Sequence, residues 1–356
     1  MSAPVDLIDC DVHPAPPGMA ALLPHLDEHW REQVLIRGID GLDLTAYPPT
    51  TPLAARPDWR PADGKPGSDL AAMQRHALDR FRARFAICNT VWGAQGTYNA
   101  YFAAALCRGI NRWIAAEWLD KEPRLRASIV VPWQDAELAA EEIAHWAADR
   151  RFVQVQLLAA GDALLGKRQY WPIYAAAVKH GLPVSIHAGS AYRHATTSIG
   201  WPSYYVEDYA ANAQAFQGQL LSLIYEGVFT RFPALTVVLA ESGFTWLPPF
   251  MWRANKTWRG VRIEVPWVDR APSDIIRDHV RFTLQPVDAP PEDPAKLTAI
   301  LEQIGSDDAL LFSTDYPHWQ FDGEDPLPPE LSPALARKIA IDNPLATYPR
   351  LKETVQ

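Results

Sequence analysis

Eight short apolar runs, each followed by a longer stretch of helical periodicity, recur along almost the whole chain. This alternation restricts the fold more than any other feature of the sequence. The runs are Val5–Asp11, Phe85–Thr90, Leu125–Val131, Phe152–Leu158, Leu182–His187, Leu235–Glu241, Val280–Gln285 and Leu310–Asp315. The helical stretches lie near Asp69–Ala83, Ala100–Leu119, Ala136–Arg150, Tyr170–His180, Val206–Tyr225, Phe244–Thr257 and Pro294–Ile304, with another near Pro333–Ile341 after the last strand. Eight strand–helix units predict a single α/β domain over residues 1–356, a (β/α)8 TIM barrel. A doubly wound sheet is the competing architecture, but no GxGxxG follows the first strand.

In such a barrel all strands end at one mouth, where catalytic side chains collect. Several of these strands end in ionisable residues: Asp11 and His13, His187, Glu241, Asp315. The fold would therefore gather groups spread over most of the chain. The stretch Gly38–Ser68 breaks the pattern, with Pro48, Pro49, Pro52, Pro57, Pro61 and Pro66 and little periodicity. An insert of that size after the first strand leaves from the mouth, and is expected to act as a lid or a subunit-contacting arm. A second polar, aromatic loop, Gly189–Tyr205, follows the fifth strand.

Composition excludes several function classes. The chain has 33 Lys+Arg against 42 Asp+Glu, a formal charge of −9, which argues against a nucleic-acid partner. No run approaches the length of apolar sequence a membrane span needs, and the first residues show neither a basic n-region nor an apolar h-region, so no secretory signal is expected. Cys10, Cys88 and Cys107 are odd in number and widely spaced, and read as reduced core residues. A cytoplasmic protein is expected.

The strand ends carry the chemistry. Asp11 and His13 stand two apart on a strand and share a face, so together they can chelate a divalent ion; alone, the D-x-H pattern equally fits a solvated Asp and a loop His. His187 ends the apolar run Pro183–His187, where a hydrogen-bonded core histidine is the ordinary reading. Glu241 ends another apolar run, and burying its charge would cost several kcal/mol without a partner. A metal, an Arg or a His must compensate. Leu310–Asp315 repeats the pattern, with His318 three residues on. Four such strand ends together point to a metal site.

These blocks resemble the amidohydrolase superfamily, and within it the amidohydrolase-related branch that contains aminocarboxymuconate-semialdehyde and γ-resorcylate decarboxylases. The resemblance rests on Asp11-Val12-His13, Ser185-Ile186-His187-Ala188-Gly189, Arg231-Phe232-Pro233 leading to Glu241-Ser242-Gly243, Ser313-Thr314-Asp315-Tyr316-Pro317-His318, and a closing Asp342-Asn343-Pro344 with Tyr348. It implies metal ligands Asp11, His13, His187 and Asp315, and one divalent ion with an open position. Zinc is the first choice. The Asp-x-His in place of the family's frequent His-x-His makes the site harder, so Mn²⁺ or Fe²⁺ are alternatives. Glu241 stands where many relatives have a His, and the fourth strand offers Gln154 and Gln156 but no Lys or Glu to bridge two metals, so one metal is expected.

By the same resemblance, the metal would lower the pKa of bound water from about 16 towards 7. Asp315 would move that proton, with Glu241 a second acid–base group and His318 an assistant or a structural neighbour. Arg193 and His194 could anchor an anionic substrate group or lie in a solvated loop, and Trp92 and Trp246 could line a pocket for a planar ring or pack between barrel and helices. Replacement of the strand-six His by Glu241 favours hydrolysis of an amide, lactone or cyclic C–N or C–O bond in a small molecule. The alternatives are metal-dependent, non-oxidative decarboxylation of an aromatic or muconate-type acid, and a retired barrel with a binding role. The resemblance also implies a homodimer or homotetramer.

Overall fold

The computed structural model describes residues 6–42, 55–189, 194–321 and 324–352. Eight parallel strands follow one another around a single sheet in chain order: β1 (Leu7–Val12), β2 (Ala83–Cys88), β3 (Leu125–Val130), β4 (Phe152–Leu158), β5 (Val184–His187), β6 (Val237–Ala240), β7 (Val280–Thr283) and β8 (Leu310–Leu311). The sheet closes on itself, because Cys10 N donates to Phe312 O (2.8 Å), Asp315 N to Asp11 O (3.0 Å) and His13 N to Tyr316 O (2.7 Å). Helices Ala100–Ile114, Ala136–Trp146, Trp171–Lys179, Tyr205–Tyr225, Leu247–Val261 and Pro294–Ile304 follow β2 to β7 except that Pro272–His279 also precedes β7. This is the expected (β/α)8 barrel. No described helix is long and apolar enough to cross a membrane. Cys10, Cys88 and Cys107 are free and buried.

Only β4 has the bounds read from the sequence, and the departures at the ends of β6 and β8 bear on the site. Glu241 and Asp315 have left-handed backbone, φ 55° and 56°. A non-glycine residue rarely adopts that conformation, and it ends an extended run abruptly. β6 stops at Ala240, directly before Glu241, while β8 stops at Leu311, four residues before Asp315, so both carboxylates are carried beyond their strands. Backbone strain of this kind concentrates at functional sites.

Ile8, Cys10, Phe85, Ile87, Val153, Val238 and Leu311 form an apolar cluster of their own, completed by Tyr348 and Leu351 from the C-terminal segment. Buried Arg350, between them, donates to the carbonyls of Phe152 (2.6 Å), Ala147 (3.1 Å) and His180 (3.1 Å), which lie at or before the starts of β4 and β5. The C-terminal residues thus plug the end of the barrel opposite the strand termini. Leu351→Ala is expected to cost about 2–5 kcal/mol, the range for emptying a fully buried leucine site. Urea unfolding checks it, and a loss below about 1 kcal/mol would show that the plug is dispensable.

Part of the Pro-rich insert, 43–54, lies outside the described residues. Its second half packs onto the mouth. Buried Trp59 stacks on Phe321 (5.7 Å between ring centroids) and meets Tyr316 (5.3 Å), Arg56 N donates to Pro317 O (2.9 Å), and the Arg56 guanidinium covers the Trp59 ring. Ala15 N donates to Gly67 O (2.9 Å), and Gly67 has φ +78° with a hypothetical Cβ only 2.3 Å from His13 O. No residue with a side chain fits there without moving β1's end.

Candidate metal centre

The end of β1 shows how sequence becomes site. Pairing with β2 shifts register between Asp9 and Val12. Asp9 faces the seam, where its carboxylate accepts from Thr314 N (3.0 Å), Thr314 Oγ1 (2.6 Å) and Asp11 N (3.2 Å). Burial pushes Asp9 up to about 7, against the pull of its Thr314 bonds. Asp11 and His13 face the mouth together, as their spacing predicts, with His13 Nε2 3.1 Å from Asp11 Oδ1.

Three other strand ends meet this pair. His13 Nε2 lies 2.9 Å from Asp315 Oδ1, and His187 Nε2 lies 3.4 Å from Asp11 Oδ1 and 3.7 Å from Glu241 Oε2. Each imidazole is oriented through its other nitrogen: His13 Nδ1 is 2.9 Å from Asn89 O, and His187 Nδ1 is 2.9 Å from Ala188 O. A carbonyl only accepts, so both Nδ1 atoms carry hydrogen and both Nε2 atoms face the centre. All four groups are buried, and Asp11 Oδ2, His13 Nε2, His187 Nε2 and Asp315 Oδ2 have no hydrogen-bond partner among the described residues.

Buried polar atoms without partners are costly unless something charged satisfies them. The field here favours a positive charge. Burial pulls the His13 imidazole down, but the Asp11 and Asp315 carboxylates outweigh it and push it well up. His187 is raised in the same way, burial being overcome by Asp11. Burial would raise Asp11, but His187 and His13 hold it well below the usual carboxylate range. Two overlapping groups, Asp11–His13–His187 and His13–Glu241–Asp315–His318, share His13, and the imidazoles and carboxylates that converge there fit one divalent cation.

The Amidohydrolase family model matches residues 8–350, from the first strand to the C-terminal plug. The chain belongs to the amidohydrolase family. It is an enzyme of that family. A γ-resorcylate decarboxylase from Polaromonas sp. (strain JS666 / ATCC BAA-500) is 27% identical over 224 residues, covering 60% of this chain and 67% of the relative. Among solved structures, the 5-carboxyvanillate decarboxylase of Sphingomonas paucimobilis matches with TM-score 0.69 at 19% identity, over 97% of this chain and 99% of that one. The dihydroxybenzoic acid decarboxylase of Polaromonas sp. JS666, solved with manganese and the inhibitor 2-nitroresorcinol, matches with TM-score 0.67 at 20% identity, over 96% of each chain. At these identities the two solved structures speak for the fold.

In this amidohydrolase-family chain Glu241 is buried at the edge of the cation cluster. Its Oε1 accepts from Gln320 Nε2 (2.6 Å) and from the Tyr209 hydroxyl, while Oε2 faces His187. Burial and then the charge of Asp315 push its carboxyl up. His318 bonds Asp315 Oδ1 through Nδ1 (2.9 Å), lies 4.6 Å from the His13 ring centroid, and keeps 30% of its side chain exposed. Ligand atoms of His13, Glu241, Asp315 and His318 all lie within 4.8 Å of one another.

The sequence reading placed four further residues at the substrate. Arg193 lies outside the described residues. His194 pairs with Asp162 (3.4 Å) in a small recess lined by Gln95, Thr97, Trp133 and Gln134, and is not part of the cation cluster. Trp92 is buried in the main apolar core. Trp246 donates from Nε1 to Ser242 O (3.0 Å) and packs edge-on against Phe250 and Phe282. Sequence reasoning passed over Asn89, Tyr209 and Gln320. Asn89 follows β2 in the apolar context Ala86–Cys88, a buried-strand polar ending like those that were noticed; Tyr209 sits in a helix with four other tyrosines and tryptophans nearby in sequence, and carried no such signal.

Proposed function

We propose that this enzyme is a metal-dependent, non-oxidative carboxy-lyase that releases CO2 from a small aromatic acid with an oxygen substituent next to its carboxylate. The observation that carries the reading is the sequence relation to γ-resorcylate decarboxylase over 60% of the chain. Hydrolysis, the reading the sequence favours, rests on Glu241 standing in place of a histidine. Burial and the charge of Asp315 both favour the protonated form of the Glu241 carboxyl, which suits the proton delivery that decarboxylation needs.

Asp11, His13, His187 and Asp315 would hold one divalent ion. Two carboxylates among four donors, and manganese in a structural relative, favour Mn²⁺ ahead of zinc. When bound, that ion would supply a Lewis acid for an anionic oxygen substrate. Glu241, in its neutral form, delivers its proton to the ring carbon bearing the carboxylate. The bond from that carbon to the carboxylate then breaks, its electron pair returns to the ring, and CO2 leaves; a carboxylate and a proton become an arene C–H and CO2. Glu241 is left charged, and partly exposed His318 returns a proton to it from solvent within the Glu241–Asp315–His318 group. Tyr209 and Gln320 fix Oε1, so that Oε2 is the oxygen presented to the pocket. The packed half of the insert, residues 55–68, walls the Asp315–His318 loop, and the enzyme works as a homodimer or homotetramer on a small molecule.

The test is CO2 release from γ-resorcylate and 5-carboxyvanillate by protein loaded with Mn²⁺. Release of CO2 with formation of the decarboxylated phenol is expected. Hydrolysis of lactones or amides without CO2 release from any hydroxybenzoate would overturn the reading. Tyr209→Phe is expected to lower kcat about 10-fold, from one lost hydrogen bond of about 1–1.5 kcal/mol, with metal content unchanged. A kcat equal to wild type would remove Tyr209 from the proton-delivery unit.

A further inference from the structure

We infer that Asn89 is the positioning residue of the metal centre, a polar clamp that sets the carboxylate of Asp11 and the ring of His13 at once; the inference rests on the metal-centre reading above. Asn89 is fully buried just past β2, and its own backbone is pinned by Asn89 N donating to Val12 O (2.8 Å). Its side-chain amide donates from Nδ2 to Asp11 Oδ1 (2.7 Å), and its main-chain carbonyl lies 2.9 Å from His13 Nδ1. One residue thereby holds two of the four donors, one through each of its polar groups.

The orientation of the amide follows from hydrogen-bond chemistry. Asn89 Oδ1 accepts from the Ser128 hydroxyl on β3 and from Gln154 Nε2 on β4 (3.1 Å), and Gln154 Nε2 also lies 2.8 Å from Ser128 Oγ. A flipped amide would set Oδ1 against the Asp11 carboxylate and Nδ2 against the Gln154 amide donor, losing two good bonds for two repulsive contacts. Ser128 and Gln154 are themselves buried inside the barrel. The order of hands is therefore β4 and β3 to Asn89, and Asn89 to the end of β1. A donor on Asp11 Oδ1 restrains the rotation of the carboxylate, and Oδ2 has no hydrogen-bond partner among the described residues. The carbonyl on His13 Nδ1 fixes the tautomer that directs Nε2 inwards.

This arrangement gives the buried polar layer of Ser128, Gln154 and Asn89 a purpose that packing alone does not require. An aliphatic layer would fill the barrel as well, but could not hold a carboxylate in a chosen rotation.

The experiment is titration of the metal-free full-length protein with Mn²⁺ and, separately, with Co²⁺. Asn89→Ala is expected to weaken Mn²⁺ binding about 10- to 100-fold, the usual cost of losing an outer partner of a metal ligand, and to shift the visible d–d bands of the Co²⁺-loaded protein. Asn111→Ala serves as the structural control. Asn111 is equally buried and bonds Val130 and Glu142, away from the cluster, so its loss should leave affinity and spectrum as in wild type. Should Asn89→Ala not fold, the pair Ser128→Ala/Gln154→Leu releases the amide instead, and should weaken Mn²⁺ in the same direction by a smaller factor. Wild-type affinity and spectrum in the folded Asn89 variant, or an equal loss in Asn111→Ala, would overturn the clamp. A wild-type chain that binds neither ion would instead fail the metal-centre reading itself, and the clamp with it.

Discussion

His187→Ala is expected to lose metal and turnover together. His187 ends β5 with Nδ1 tied to Ala188 O and Nε2 aimed between Asp11 and Glu241. Truncation removes one of four donors and leaves two carboxylates facing each other across a buried pocket with less positive charge to hold them. Even the loss of an outer partner costs metal sites about 10- to 100-fold in affinity, so removal of a donor should cost at least the upper end of that range. The measurement is metal content after dialysis, taken beside CO2 release at the same protein concentration. A variant that keeps its metal and loses only activity would place His187 outside the ion's shell.

Glu241→Gln separates proton delivery from metal binding. The amide keeps the shape of the side chain and an oxygen to accept from Tyr209 and Gln320, so the turn at φ 55° and the cation cluster should survive. It cannot give up a proton. Turnover is expected to fall about 10²- to 10⁴-fold, the range a positioned acid contributes, with metal content as in wild type. Loss of the metal in this variant would make Glu241 a ligand and leave the acid to be sought at Asp315 or His318. The sign of the pH effect follows from the same group: with its carboxyl raised by burial and by Asp315, the competent neutral form is lost as pH rises. Turnover should decline towards alkaline pH in wild type, while the residual rate of Glu241→Gln should lack that limb.

The barrel was legible in the sequence because buried parallel strands and their covering helices leave two distinct periods, and these alternate eight times here. Phe152–Leu158 and Pro294–Ile304 fall where the pattern puts them. The helix Pro272–His279 escaped notice because eight residues between prolines and charges, with Ile275 and Ile276 as its main apolar positions, give periodicity too little length to register. The apolar runs ending at Glu241 and Asp315 extend one and four residues past β6 and β8, and at Glu241 hydropathy does not report the left-handed φ that ends the strand. The convergence of Asp11, His13, His187, Glu241 and Asp315 was legible for the reason the fold was: a barrel brings all its strand ends to one mouth. What surrounds them was not. Gln320 and Tyr209 reach Glu241 from a loop and from a helix, and nothing in their own sequence context marks which side of that helix or loop meets the pocket. Trp92 and Trp246 illustrate the converse, since an aromatic near a strand end fits packing and pocket equally until its neighbours are known.

The most direct test is metal content by plasma mass spectrometry on protein purified without chelator and without added metal. About one divalent ion per chain, manganese or zinc, is predicted from Asp11, His13, His187 and Asp315, which are linked by contacts of 2.9–3.4 Å. Close to two ions per chain would draw Glu241 and His318 into a second shell of ligands and contradict the one-ion centre. None, even after reconstitution, would contradict the metal-dependent chemistry altogether.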